Sequence, residues 1–203
     1  MNWYLTWGKR SADFVFALII SILLSPVIII VAILVLIKLG RPILFTQQRP
    51  GINGHIFTLF KFRSMNSQLS KDGEPLPDAD RLSNFGKLLR RSSLDELPGL
   101  WNILRGDMSF VGPRPLRVEY SPLYSPEQSK RHNVLPGLTG LAQVSGRNAL
   151  DWPTRLRYDV EYVENISIGK DIWIMWKTVG TVLNRTGITS ETHATMEPFK
   201  GEQ

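Results

Sequence analysis

Cysteine is absent from this chain of 203 residues, and other side chains with site chemistry are scarce. Without cysteine there can be no disulfide bridge, no thiolate zinc site and no cysteine nucleophile. The three histidines, His55, His132 and His193, have no metal-ligand spacing, so we interpret them as ordinary polar residues. The glycine clusters do not form a P-loop. The chemistry that remains is that of carboxylates among basic side chains.

Acidic residues are outnumbered by basic ones. The chain has 24 Lys and Arg against 18 Asp and Glu, which gives a formal net charge of +6. This excess predicts an anionic partner such as lipid head groups, a nucleotide or nucleic acid. The length allows one domain, or one domain with a membrane element, and a substantial buried core.

A long apolar run covers residues 14–37 and is interrupted only by Ser21, Ser25 and Pro26. As a straight helix it would measure about 36 Å, against about 30 Å for the hydrocarbon core of a bilayer. The run is too long for a typical cleaved signal, and no small-residue cleavage site follows it. We therefore expect residues 1–41 to form a membrane anchor with interfacial flanks.

The centre of this run contains a helix-breaking pair, Ser25-Pro26. Pro26 cannot donate a hydrogen bond to the carbonyl of Ile22, and the Ser25 hydroxyl could replace that donor. One interpretation is a kinked helix that spans the membrane. The other is a re-entrant helix that exits on the side it entered, which basic residues on both flanks favour by the positive-inside rule.

Residues 42–203 are predicted to form a compact α+β domain that is mostly helical. Turn signals at Asn53-Gly54 separate two β-rich segments and predict a small hairpin. Amphipathic helices follow, and they could lie at a membrane interface or pack on a core. The predicted elements are strands at 43–47 and 55–62, and helices at 81–91, 151–164 and 168–183.

The stretch 90–115 carries an adjacent carboxylate pair, Asp95 and Glu96, between basic residues that include Arg90 and Arg114. Acids flanked by arginines suit chemistry on a diphosphate, because the arginines hold phosphates while an acid attacks phosphorus or binds a metal. Ser93 and Glu96 also match a capping box, which predicts a helix start at Ser92 or Ser93. In the alternative interpretation, Glu96 only caps that helix and Asp95 only complements its dipole.

Across nearly its whole length the chain resembles the small monotopic phosphoglycosyl transferases of the bacterial sugar transferase family. It looks closest to the members that initiate bacterial protein N-glycosylation. The matching motifs are Ser25-Pro26, Lys61-Phe62-Arg63-Ser64-Met65, Ser93-Leu94-Asp95-Glu96-Leu97-Pro98, Asn102 with Gly106-Asp107-Met108-Ser109, Val111-Gly112-Pro113-Arg114-Pro115, Gly137-Leu138-Thr139-Gly140 and Gly146-Arg147-Asn148.

The resemblance implies a re-entrant anchor and a catalytic domain on the cytoplasmic face of the bacterial inner membrane. It implies transfer of a sugar 1-phosphate from a UDP-sugar to undecaprenyl phosphate with Mg²⁺, releasing UMP. Asp95 is then the nucleophile and a metal ligand, and Glu96 is its partner. The substrate-binding residues carried over by motif are Lys61, Arg90, Arg114, Arg147 and Asp159. Anionic lipid and other enzymes of glycan assembly are expected partners, and nucleic acid is not.

Two alternatives stay open. In one, the lipid phosphate displaces UMP in a single step and Asp95 only binds the metal. In the other, the chain is a membrane-tethered, basic lipid-binding protein without catalytic turnover. The chain also departs from the family pattern, since Gly99 stands where Gln is expected, and this glycine should loosen the helix that contains it.

Overall fold

The computed structural model describes residues 4–66, 74, 76–146, 149–184 and 198–201. Within these ranges the chain is mostly helical with two small sheets, which is compatible with the predicted α+β class. The helices are α1 (Lys9–Leu23), α2 (Ser25–Leu39), α3 (Asp78–Arg81), α4 (Asn84–Arg91), α5 (Gly99–Arg105), α6 (Pro126–Ser129), α7 (Leu141–Ser145), α8 (Trp152–Glu164) and α9 (Ile168–Asn184). The strands are β1 (Leu44–Pro50), β2 (Ile56–Phe62), β3 (Ser109–Val111) and β4 (Gly137–Thr139).

The apolar run forms two helices rather than one. Helices α1 and α2 meet at Leu24 and are bent by 64° relative to each other. The Ser25 hydroxyl donates a hydrogen bond of 2.8 Å to the carbonyl of Ile22, the acceptor to which Pro26 cannot donate. The predicted break and its repair by Ser25 are therefore confirmed.

No helix among the described residues is by itself long and apolar enough to cross a bilayer, although α1 and α2 together meet that test as a bent pair. Many large apolar side chains on this pair are exposed, including Leu23 at 70% and Ile37 at 69%. Only narrow strips of each helix are buried, at Asp13 and Ala17 on α1 and at Val31 and Val35 on α2. An apolar surface of this extent is unusual for a protein in water.

Two arginines attach the helix pair to the rest of the chain. Arg10 of α1 donates to the carbonyls of Ile103 and Leu104, at 2.6 and 3.1 Å, at the end of α5. Arg63, which follows β2, donates to the carbonyls of Leu39 and Gly40 at the end of α2. Each guanidinium donates to carbonyls at the C-terminal end of a helix, where the helix dipole is negative.

Strands β1 and β2 form the predicted hairpin, with Leu44 opposite Phe62 at one end and Pro50 opposite Ile56 at the other. The fully buried side chain of Asn102 fastens this hairpin to α5. Its carbonyl oxygen accepts from the backbone N–H of Phe60 at 3.1 Å, and its amide donates to the carbonyl of Thr58 at 2.7 Å. The hairpin and α5 are therefore held as one unit.

The predicted helix over 81–91 begins later than expected. Ser83 has an extended backbone, and its hydroxyl accepts from the N–H of Gly86 at 3.1 Å, so α4 begins at Asn84. This N-cap separates α4 from α3. On α4, Leu89 is buried against α2 and β2, whereas Leu88 is 57% exposed.

Helices α8 and α9 match the predicted helices closely. The predicted amphipathic helix α9 carries an apolar stripe that is largely exposed among the described side chains, with Trp176 at 77% and Ile172 at 56%. The helix instead buries Ile174 and Asp171 against the core that contains Val111, Leu141 and Tyr162. The predicted boundary between residues 41 and 42 falls between α2 and β1 and stays a prediction.

Candidate active site

The carboxylate pair lies in a short 3₁₀ turn, Leu94–Glu96, between α4 and α5. Ser93 precedes this turn in the left-handed conformation, with φ 55° and ψ 16°, and its side chain makes no capping hydrogen bond. The predicted capping box is therefore wrong. A non-glycine residue in this conformation costs about 1–3 kcal/mol, and such strain is common where a chain must aim catalytic side chains.

Glu96 pairs with two cations instead of capping a helix. Its Oε1 accepts from Lys61 Nζ at 2.6 Å and from Arg114 Nη2 at 2.8 Å. Burial alone would raise the pKa of Glu96, but the charges of Arg114 and Lys61 outweigh it and hold that pKa well below its usual range. Glu96 therefore stays ionised and holds the two cations at one point.

Asp95 lies in a different environment from Glu96. It is 8% exposed, and no hydrogen bond or ion pair reaches its carboxylate from the part of the chain that the structure describes. Burial, followed by the neighbouring charge of Glu96, raises the pKa of Asp95 to about 6. The cations around the pair oppose this rise without cancelling it. Asp95 thus combines an ionised carboxylate near neutral pH with lone pairs that no described residue occupies.

Close backbone packing fixes the turn that carries Arg114. A Cβ on Gly112 would lie 2.4 Å from the carbonyl oxygen of Leu135, and one on Gly137 would lie 2.1 Å from the nitrogen of Gly112. Only glycine permits this approach of the two turns. This close packing sets the position of Arg114 relative to Glu96.

A buried ion pair supports Arg114 from behind. Arg131 donates to the Arg114 carbonyl at 2.6 Å, and its guanidinium also binds Asp159 Oδ2 at 2.7 and 3.1 Å. Asp159 is only 2% exposed. Asp159 is therefore paired with Arg131 on the far side of the Arg114 backbone, and like Asp95 it is not among the residues that line the cleft. Its role in substrate binding stays a prediction.

The cleft beside the carboxylate pair is lined by residues from both sheets and α5. Its lining residues are Arg49, Leu59, Phe60, Lys61, Glu96, Gly99, Met108, Arg114, Pro115, Gly137 and Leu138. Gly99 is the first residue of α5, so it does not interrupt the helix interior as the sequence suggested. A Cβ there would lie 3.1 Å from a methyl carbon of Leu138, so glycine keeps this wall of the cleft open.

Two predicted substrate-binding residues remain, Arg90 and Arg147. Arg90 donates to the Ser64 hydroxyl at 2.9 Å, and its charge lowers the pKa of Asp95 from nearby. Arg147 lies outside the described residues. Within the described ranges no three His, Asp or Glu side chains form a group that could hold a metal ion.

Comparison with known proteins identifies the family of this chain. The bacterial sugar transferase family model matches residues 4–185. This chain belongs to that family. It is 45% identical to an uncharacterized sugar transferase, EpsL, of Bacillus subtilis, over 95% of this chain and 96% of that protein.

Two further relatives of the transferase have more specific names. It is 39% identical to the undecaprenyl-phosphate galactose phosphotransferase of Salmonella typhimurium, over 88% of this chain but only 41% of that protein. It is 37% identical to the UDP-glucose:undecaprenyl-phosphate glucose-1-phosphate transferase of Caulobacter vibrioides, over 86% of this chain and 69% of that protein. The link to protein N-glycosylation stays a prediction.

Sequence reasoning missed two arginines of the transferase, Arg49 and Arg131. Arg49 lies in a strand and Arg131 in a short polar helix, where a basic side chain is ordinary and does not by itself indicate a function. One weak sequence signal was available for Arg49. It lies two residues after Gln47 in β1, so the two polar side chains point to the same face of the strand. No local signal pairs Arg131 with Asp159, because 28 residues separate them.

Proposed function

We propose that this transferase moves a sugar 1-phosphate from a UDP-sugar to undecaprenyl phosphate and releases UMP. The reaction would run in two displacements through a phosphosugar carried on Asp95. The observation that carries the proposal is the contrast within the carboxylate pair. Glu96 is held by Lys61 and Arg114, whereas the Asp95 carboxylate has no hydrogen-bond or ion-pair partner among the described residues.

The first displacement forms a bond between an Asp95 carboxylate oxygen and the phosphorus that carries the sugar. The bond from that phosphorus to the bridging oxygen breaks, and UMP leaves with the electron pair. In the second displacement an oxygen of the lipid phosphate attacks the same phosphorus and releases Asp95. Such covalent catalysis divides one difficult transfer into two easier ones. The raised pKa of Asp95 fits a nucleophile, because a more basic carboxylate oxygen attacks phosphorus more readily.

The cations of the cleft would stabilise the charge that spreads over the phosphoryl oxygens. Phosphoryl transfer depends mainly on positioning and electrostatic stabilisation. Glu96 holds Lys61 and Arg114 in place before any substrate arrives, so little reorganisation is needed during the reaction. Glu96 acts in this proposal as a positioning residue for the two cations.

Mg²⁺ fits the residues present. This ion commonly binds through one or two carboxylates together with substrate phosphates and water. Asp95 has unoccupied lone pairs, whereas Oε1 of Glu96 is already bound by two cations. We therefore propose Asp95 as the protein ligand, and the bound ion would neutralise negative charge on the diphosphate.

The location proposed is the cytoplasmic face of the bacterial inner membrane, on a re-entrant anchor. The exposed apolar surface of α1 and α2 and their 64° bend at Ser25-Pro26 support this. The exposed stripe on α9 supports a second contact with the head-group region. A site at the membrane surface suits an acceptor whose tail lies in the bilayer.

A single displacement, with Asp95 as metal ligand only, is the competing mechanism. Purified transferase should be incubated with Mg²⁺ and a panel of UDP-sugars, without lipid phosphate. We expect labelled UMP to exchange into the correct UDP-sugar and a sugar-phosphate adduct to appear on Asp95 by intact-protein mass spectrometry. Full turnover with lipid, but no exchange and no adduct, would exclude the covalent route.

The carboxylate pair provides a matched control for this experiment. Asp95→Asn should abolish exchange and adduct together and reduce turnover by several orders of magnitude, each tenfold being about 1.4 kcal/mol of barrier. Glu96→Gln should slow both steps but leave the adduct detectable, because the nucleophile remains. A trapped adduct in the Asp95→Asn variant would place the nucleophile elsewhere.

A further inference from the structure

A second guanidinium lies in the cleft without an assigned role. Arg49, near the end of β1, lines the same cleft as Glu96 and Arg114. Its hydrogen bond of 2.6 Å runs from Nη2 to the neutral side chain of Gln47. Its Nε is buried and has no hydrogen-bond partner among the described residues.

The hairpin register places Arg49 on the face that carries Lys61. Arg49 is opposite Phe57 and Lys61 is opposite Phe45. Residues directly opposite in a hairpin share a face, and so do residues two or four apart along a strand. Lys61 and Arg49 therefore lie on one face. Their Cα atoms are separated by about 13 Å along the hairpin, at about 3.3 Å per residue. This face forms a wall of the cleft, because Leu59 between them also lines it.

The half-buried guanidinium of Arg49 has no close ion-pair partner, and the carboxylate of Glu119 acts on it only from a greater distance. No carboxylate lies within 4 Å of its guanidinium in the part of the chain that the structure describes. Burial, followed by the positive charges of Arg114 and Arg117, lowers the pKa of Arg49 to about 10. Burying a cation without a counter-ion costs free energy, and a buried donor without an acceptor adds to that cost. An anion in the cleft would offset both.

We infer that Arg49 is a substrate-binding residue that holds a phosphate group at the end of the cleft remote from α2. The inference rests on the proposed function, which requires two phosphorus centres from the donor in one cleft. Lys61 and Arg114 stand beside Asp95, where the reacting phosphate must lie. Arg49 provides a separate forked donor for a second phosphate, and guanidinium geometry suits two parallel bonds to such a group.

The position of Arg49 favours the nucleotide phosphate of the donor over the lipid phosphate of the acceptor. The other end of the hairpin joins α2, because Leu44 pairs with Phe62 and Arg63 binds the end of that helix. Arg49 is about 17 Å farther along the strand than Leu44, at about 3.3 Å per residue. A lipid phosphate arriving from α1 and α2 would reach Lys61 first.

The experiment compares Arg49→Gln with Arg117→Gln. Arg117 is exposed and does not line the cleft, so its removal controls for a general loss of positive charge. UMP binding to the detergent-solubilised full chain is measured by calorimetry, and UMP exchange is measured without lipid. The full reaction then gives KM for lipid phosphate. Thermal unfolding checks that each variant folds, and Arg49→Lys serves as a second variant that keeps the charge but not the fork.

We expect Arg49→Gln to weaken UMP binding about 10- to 100-fold, as for loss of charge-assisted hydrogen bonds. Arg117→Gln should stay within about twofold of wild type, and Arg49→Lys should lie between. KM for lipid phosphate should not change. Unchanged UMP binding and exchange in Arg49→Gln would overturn the inference. A raised KM for lipid phosphate alone would overturn the assignment to the donor. Failure of exchange in the wild type would count against the proposed function instead.

Discussion

Replacing Asp159 by Asn tests whether this residue supports the site or contacts the substrate. In the buried pair the side chains of Arg131 and Asp159 are 1% and 3% exposed. The substitution removes one charge and leaves the guanidinium buried without its counter-ion. Breaking a buried pair in this way costs about 3–5 kcal/mol. For a chain of this size each kcal/mol lowers the melting temperature by about 2–4 °C, so we expect a decrease of about 6–20 °C.

The Asp159→Asn substitution should also affect the carboxylate pair, through the contact between Arg131 and Arg114. Arg131 donates to the carbonyl of Arg114, so a less constrained Arg131 should allow the Arg114 turn to move. Activity measured well below both melting temperatures should therefore fall through kcat, because charge stabilisation by Arg114 is impaired. Removing both charges, with Arg131→Met and Asp159→Leu together, should recover much of the stability but not the support of Arg114.

The assay is thermal unfolding in detergent micelles, followed by tryptophan fluorescence, beside steady-state kinetics with UDP-sugar and lipid phosphate. A melting temperature of Asp159→Asn within about 2 °C of wild type, with a large rise in KM for the UDP-sugar, would refute this reasoning. That result would mean that Asp159 contacts substrate, as the family resemblance implies.

Two further predictions concern acid stability and topology. Burial, followed by the charge of Arg131, lowers the pKa of His132 to about 4. Because the unfolded-state pKa is about 6.5, the unfolded chain binds more protons between pH 6.5 and 4, and stability falls as pH falls, by at most about 1.4 kcal/mol per unit. His132→Gln should lose less stability over this range, and parallel melting curves against pH would contradict this. Single cysteines at Trp7 and Arg41, both exposed, should be equally protected from an impermeant maleimide in intact cells, whereas labelling of one alone would indicate a spanning helix.

Local sequence signals predicted the secondary structure well where neighbours in the chain supply the relevant partners. Ser25 and Pro26 break the apolar run because the missing donor and its replacement lie within one helical turn. Asn53 adopts the left-handed conformation in the hairpin loop, as Asn-Gly turn chemistry favours. Helix α8 begins after Asp151, whose side chain accepts from the N–H of Thr154 at 2.9 Å.

Two segments of the chain have the capping-box spacing, but only one of them forms a capping box. Ser125 and Gln128 form a complete capping box at the start of α6, whereas Ser93 and Glu96 have the same spacing and form none. The two segments differ because other groups compete for the Glu96 carboxylate. Two cations from distant parts of the chain, Lys61 and Arg114, bind the Glu96 carboxylate more strongly than a neutral backbone N–H could.

From sequence alone the break in the apolar run, the hairpin and the long helices could be predicted correctly, and the carboxylate pair could be proposed as the chemical centre. The folded chain was needed to show that Asp95 has no hydrogen-bond partner among the described residues and that Glu96 holds two cations. The fold also pairs Asp159 with Arg131 and places Arg49 within the cleft. The reason is that charge pairing acts through space. Lys61 and Arg114 meet Glu96 from 35 and 18 residues away, and no periodic pattern encodes those separations.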